Sequence, residues 1–157
     1  MNETRRPAPE TTDIDAQLRR TEAICDERSV RLTPMRRAVY RSLLESARPM
    51  TAYDLLDRLS EAQGRRLAPP TIYRALEFLM DQGLLHRLES LNAYVVCEQP
   101  GQEHDSVFYV CGRCQRAVEI SDGRVGHAVF ENAQLLEFTP IRQVVEIHGV
   151  CKDCLAD

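Results

Sequence analysis

Pro69-Pro70-Thr71-Ile72-Tyr73-Arg74-Ala75-Leu76-Glu77-Phe78-Leu79-Met80-Asp81-Gln82-Gly83, with residues 84–97 that follow it, decides how this chain folds. Proline is tolerated in the first turn of a helix, where its missing N–H has no intrahelical partner, so Pro69-Pro70-Thr71 reads as a helix start. Ile72, Ala75, Leu76, Leu79 and Met80 then recur at helical spacing on one face, while Arg74, Glu77 and Asp81 line another. Gly83 ends the segment. Residues 84–89 and 93–97 follow with strand character, joined by Ser90-Leu91-Asn92 as a tight turn.

Upstream, the chain reads as more short helices. Residues 14–27 place Ile14, Leu18 and Ala23 or Ile24 at helical spacing, and Cys25 falls where a small core residue serves, with no metal role. Thr33 before Pro34 caps a helix running through Ala38, Val39, Leu43 and Leu44 to about Ser46. Thr51 caps another, with Leu55, Leu56 and Leu59 facing inward and Gly64 ending it. Helices followed by a two-stranded hairpin, in this order, are the layout of a winged helix-turn-helix, in which the helix from Pro69 would enter a DNA major groove.

Downstream, residues 107–111, 117–120 and 141–147 are rich in Val, Ile and Tyr, and residues 123–136 are helical in pattern. The expected fold class is therefore α+β: an N-terminal winged-helix DNA-binding domain over residues 1–97, a hinge over 98–105 containing Gln99-Pro100-Gly101, and a small α+β dimerisation domain over 106–157. Residues 1–12, polar and Pro- and Thr-containing, are expected to be mobile.

Cys111-Gly-Arg-Cys114 and Cys151-Lys-Asp-Cys154 each follow one of the late strands. Two Cys-x-x-Cys pairs supply the four thiolates of a closed, tetrahedral structural zinc site. The 36 residues between them are too many for a compact ribbon, so the ion would staple the chain terminus to a strand end. Two disulfides or two redox dithiols are the alternative.

Composition narrows the function classes. No apolar run approaches the roughly 18 residues of a membrane span, and residues 1–10 lack the apolar stretch of a secretory signal, so the expectation is a soluble cytoplasmic protein. The net charge of −4 is unevenly divided: residues 1–90 hold 15 Arg against 14 acids, and residues 91–157 hold 5 basic groups against 10 acids. Arg28, Arg31, Arg36 and Arg37 lie in a run without an acid, giving either a local positive field or a solvated basic helix face. The acidic C-terminal part, with apolar strand faces, suits dimerisation better than nucleic acid.

Arg31-Leu32-Thr33-Pro34, Pro70-Thr71-Ile72-Tyr73-Arg74-Ala75-Leu76, the hairpin and the paired Cys-x-x-Cys together resemble the ferric uptake regulator family over residues 14–154. Residues 51–56 (Thr-Ala-Tyr-Asp-Leu-Leu), 86–97 (His-Arg-Leu-Glu-Ser-Leu-Asn-Ala-Tyr-Val-Val-Cys) and 146–149 (Glu-Ile-His-Gly) resemble its zinc uptake regulator branch. The resemblance implies a zinc-responsive transcriptional repressor of zinc-uptake genes. It would bind double-stranded operator DNA at an inverted repeat as a homodimer, with no membrane or small-molecule substrate as partner. It also implies a regulatory zinc held by His86, Cys97, His104 and Glu119, hence two zinc ions per protomer, and DNA contacts from Tyr53, Thr71, Tyr73 and Arg74. Arg74 and Tyr53 would reach bases, and Thr71 and Tyr73 phosphates.

Departures from the family's iron-sensing pattern favour zinc: the segment before the first Cys-x-x-Cys holds one His, His104, and Gln143 stands where the family has another His. A thiolate in the site also favours zinc over iron. His127 and His148 are left as structural or surface residues. The same fold serves sensors of other metals and of peroxide, and a thiol redox switch is a further reading. A zinc hydrolase would need an open coordination position that four protein ligands close, and the chain has no Ser-His-Asp order or phosphate-cradling Gly-rich loop, so no enzyme is expected.

Overall fold

The computed structural model describes residues 11–102, 104–141 and 143–156, and of 11–13 only the backbone. The architecture is α+β, in two compact units, Met1–Gly101 and Gln102–Asp157, with the division falling within the segment expected as a hinge.

The first unit contains α1 (Thr11–Glu27), α2 (Pro34–Leu44), β1 (Met50–Thr51), α3 (Ala52–Gln63), α4 (Pro69–Asp81), β2 (Leu85–Leu88) and β3 (Ala93–Val96). Each helix contributes its apolar stripe to one core: Ile14, Leu18 and Cys25 from α1, Val39, Tyr40, Leu43 and Leu44 from α2, Leu55 and Leu59 from α3, and Ile72, Ala75, Leu76 and Leu79 from α4. Thr21, also fully buried, closes its hydroxyl onto the Gln17 carbonyl at 2.9 Å, which removes the cost of burying it. Ion pairs fasten the outside: Arg37 to Glu22 (2.7 Å), Arg41 to Asp15 (2.5 Å) and Arg58 to Glu45 (2.5 Å).

The sheet of this unit runs β1-β3-β2, all antiparallel, with Leu85 opposite Val96 and Leu88 opposite Ala93. β1 was not expected, because a two-residue strand shows no alternation to read; Thr51 both ends it and caps α3. At the far end of α4, Gly83 takes φ +63° and its N–H donates to Met80 while that of Leu84 donates to Leu79, a Schellman closure. Residues 11 and 12, expected in a mobile tail, lie in α1; the rest of that tail, residues 1–10, lies outside the described residues.

The second unit contains β4 (Ser106–Cys111), β5 (Ala117–Ser121), α5 (Gly123–Leu135), β6 (Val145–Gly149) and α6 (Lys152–Leu155). Its sheet runs β5-β4-β6, with β4 antiparallel to β5 and parallel to β6. The expected strand over 141–147 is displaced: Ile141 is fully exposed, and the parallel register, Val107 opposite Val145 through Cys111 opposite Gly149, begins the strand at Val145. That register has a chemical consequence, since it sets the chain just past Cys111 beside the chain leading to Cys151.

Candidate metal centres and nucleic-acid face

Where β4 ends, Gly112 N–H donates to the Gly149 carbonyl at 2.8 Å and Cys111 N–H to the Arg116 carbonyl at 2.9 Å, with Gln115 turned into the left-handed region at φ 59°. This turn brings Cys111 and Cys114 to Cys151 and Cys154, and all four sulfurs lie within 4.8 Å of one another. The Cys114 and Cys151 sulfurs are 3.8 Å apart. A tetrahedron with zinc–sulfur bonds of about 2.3 Å has an edge of about 3.8 Å, so the spacing fits zinc. A disulfide needs sulfurs at about 2.05 Å, and no cysteine of the chain is in one.

The electrostatics also fit a cation. Backbone N–H groups of Cys114 and Cys151 aimed at the Cys111 sulfur lower its pKa to about 6, so this thiol ionises readily. Cys154 is pushed the other way, up to about 12, by its hydrogen bond to Cys151 and by burial and the neighbouring sulfurs. Four thiolates this close repel one another, and a divalent cation is what lets all of them lose their protons. Around them the Arg113 guanidinium donates to the Cys154 carbonyl, and Arg116 pairs with Asp153 at 3.2 Å, fixing the α6 turn against the turn after β4.

The residues expected to hold a second metal lie in both units. In the first, His86 is on β2 and Cys97 follows β3; the Cys97 N–H donates to the Leu84 carbonyl at 3.0 Å, and the ligand atoms of His86 and Cys97 lie within 4.8 Å of each other. In the second, His104 Nε2 is 2.8 Å from Glu119 Oε1, and both side chains are almost wholly buried. The Gln102 carbonyl is 2.9 Å from His104 Nδ1, so an Nδ1–H donating to it directs Nε2 toward the carboxylate. Burial works to lower the His104 pKa, but the hydrogen bonds to Gln102 and Glu119 outweigh it and the net shift is upward. Ser106, a residue the sequence reading passed over, donates its hydroxyl to the same Glu119 oxygen at 2.7 Å. Nothing in the sequence marks it beyond a position two residues after His104.

His127 and His148 belong to neither group of clustered donors among the described residues. His127 pairs with Glu131 one turn along α5 at 3.2 Å, and His148 is 3.6 Å from Glu146 on the same strand.

Of the four residues expected at DNA, Thr71, Tyr73 and Arg74 lie in the first turns of α4, with Arg74 and Tyr73 exposed and Thr71 half-buried; Tyr53 is two-thirds exposed at the start of α3. Ala68, the N-cap of α4, makes no side-chain cap hydrogen bond. The basic run is another matter. Arg37 pairs with Glu22, Arg36 sits over the Phe78 ring with 3.5 Å to its centroid, and Arg28 reaches the Gln82 carbonyl at 2.5 Å. Three of its guanidiniums thus have partners inside the unit, which a reading of sequence charge could not anticipate.

A winged-helix unit followed by a unit whose four clustered cysteines could hold a metal ion defines the class, a protein of the helix-turn-helix group. The chain belongs to the ferric uptake regulator family, whose model matches residues 27–148. It is 40% identical over 149 residues to the zinc uptake regulation protein of Escherichia coli (strain K12), covering 93% of this chain and 85% of that protein. The solved structure of a zinc uptake regulator complexed with zinc and DNA is similar at a TM-score of 0.88 and 38% identity, over 94% of this chain and 97% of that one. The crystal structure of holo XcZur gives 0.84 and 43%, over 91% and 99%.

Proposed function

We propose that this chain is a zinc-responsive transcriptional repressor that binds operator DNA as a zinc-loaded homodimer and controls zinc-uptake genes in the cytoplasm. Its relatives' zinc and DNA support the reading, and the observation that carries it is the pair of half-formed donor sets. His86 and Cys97 stand together on the wing of the first unit, and His104 and Glu119 in the second. Two donors do not fill a zinc shell, whereas these four, if all bound one ion, would close it, with a thiolate and a carboxylate to balance the ion's charge. Zinc held by all four would couple the two units and favour one arrangement of the DNA-reading helices. DNA affinity would then rise by the same coupling free energy that DNA adds to zinc affinity, on the order of 1–3 kcal/mol or roughly 5- to 150-fold.

The Cys111–Cys114–Cys151–Cys154 ion is, on this reading, permanent and structural, giving two ions per protomer. Arg74 reads a base edge, most naturally of guanine, Tyr53 a second base, and Thr71 and Tyr73 hold phosphates. The exposed apolar groups of the second unit, Phe130, Leu136 and Phe138 among them, are the surface a second copy covers, and two copies present their α4 helices to an inverted repeat. If each ion takes four protein donors as proposed, no position would be left for a reacting water, which suits a regulator better than a hydrolase.

The test is zinc content before and after mild chelation, with operator affinity measured alongside, in the natural protein and in Cys97→Ser. The natural protein should hold two ions per protomer, lose one to the chelator and lose operator affinity with it. Cys97→Ser should hold one ion and bind DNA weakly at any zinc level. A single ion, unaffected by the substitution, would end the sensor reading and leave a zinc-stapled DNA binder.

A further inference from the structure

Recognition by a helix requires that the helix be held at one depth and one angle, and the buried stripe of α4 is supplemented at its C-terminal end by groups from other elements. Its last turn contains no basic residue to offset the negative end of the helix dipole, and Asp81 adds a like charge there. The Schellman closure satisfies the carbonyls of Leu79 and Met80 but leaves that of Gln82, at the cap, to find a donor elsewhere.

That donor is Arg28. The α1 helix ends in the same kind of closure, with Ser29 at φ 55°, its N–H donating to Asp26 and the Val30 N–H donating to Cys25. This fixes Arg28 at the C-cap of α1, from which its guanidinium donates to the Gln82 carbonyl at 2.5 Å and lies 3.5 Å from the Gln82 side-chain oxygen. One turn back along α4, Phe78 presents its ring face to the Arg36 guanidinium, 3.5 Å from the centroid, and Arg36 also donates to the Arg31 carbonyl at 2.6 Å. Two cations from one basic run thus grip the C-terminal half of α4, while Tyr73 and Arg74 are exposed in its N-terminal half.

We propose that Arg28 and Arg36 are positioning residues for DNA recognition: they clamp the C-terminal end of α4 from within the unit and so hold Arg74 in register with its base. They do not neutralise DNA phosphates. The inference rests on α4 being the base-reading helix, and the experiment separates failure of the one from failure of the other.

Affinities of zinc-loaded Arg28→Met, Arg28→Lys, Arg36→Met and Arg74→Ala for operator and for random DNA are measured across a salt series. Arg28→Met and Arg36→Met should each lower operator affinity roughly fivefold, as expected for loss of a charge-assisted contact that orients another group. Binding to random DNA and the salt slope should not change. Arg28→Lys, which keeps a cationic donor for the carbonyl, should recover most of the loss.

If instead Arg28→Met weakens both DNAs equally and lowers the salt slope by roughly 0.9, Arg28 is a phosphate contact and the clamp is wrong. If Arg74→Ala abolishes operator preference while Arg28→Met and Arg36→Met leave operator affinity unchanged, the clamp alone is wrong. If Arg74→Ala retains operator preference, α4 does not read bases and the clamp falls with that assignment.

Discussion

The two units of this chain solve the same problem by different physics. The first buries side chains from every one of its helices and its sheet in a continuous core, with Leu18, Leu55, Ile72, Leu76 and Leu79 fully out of solvent. In the second, the buried apolar side chains among the described residues are Val107, Phe108, Val110, Cys111 and Ala133, while Leu135, Leu136, Phe138 and Ile141 are largely exposed. A unit of about this size sits near the lower limit at which a core suffices alone, and one with so few buried groups needs a metal or a partner. On the proposed function, the cysteine knot would supply the one and the exposed apolar face would accept the other. A DNA-reading unit that stands on its own core would then not need a metal to stay folded, whereas the second unit would.

The largest effect is expected at the knot. If the knot holds zinc as proposed, stripping the ion with a strong chelator under reducing conditions removes a binding energy on the order of 10 kcal/mol, more than a small unit's whole stability, and replacing Cys114 by Ser weakens the site in the same direction. Amide hydrogen exchange should then show loss of protection over β4, β5 and β6 with protection retained over α2 and α4. Loss in both units together would mean that the first also depends on the metal, and the contrast would be gone.

Next in size is Leu76→Ala. Leu76 is fully buried in the first unit's core, and its truncation should cost about 2–5 kcal/mol in chemical denaturation while leaving the zinc content of the knot unchanged. A cost under about 1 kcal/mol would show a core loose enough to refill the space, against the packing argued above.

How far the sequence foretold these differences depends on the kind of signal involved. The α4 helix was legible because its stripe from Ile72 to Met80 repeats over more than two turns between Pro69 and Gly83. The cysteine knot was legible because thiolates at that spacing have few uses. β1 was not, since a strand of two residues is defined by its partner Tyr94 and not by its own pattern. The β6 strand was misplaced because Ile141 and Val144 look like strand residues, whereas the parallel register with β4 determines where pairing starts. The basic run showed its charge but not its direction, as Arg28 and Arg36 find the Gln82 carbonyl and the Phe78 ring more than 40 residues away. Ser106 beside Glu119 depends likewise on cross-strand geometry, and Ser is too common a residue to be singled out.

The smallest effect tests whether the first unit's stability is distributed as the contrast requires. Thr51 ends β1 and caps α3 in a reciprocal arrangement: its hydroxyl accepts the Asp54 N–H at 3.1 Å, while the Asp54 carboxylate accepts the Thr51 N–H at 2.8 Å. Such a box satisfies donors that the helix start would otherwise leave open, and losing its hydroxyl costs about 1 kcal/mol. Thr51→Ala should therefore lower the stability of the first unit by about that amount, read by urea denaturation, and Thr51→Ser, which keeps the hydroxyl, should restore most of it. The knot should keep its zinc in both variants, because no group of the box belongs to the second unit. A loss above about 3 kcal/mol would place the cap among the first unit's main supports, and that unit would then resemble the second in hanging on a single local fastening.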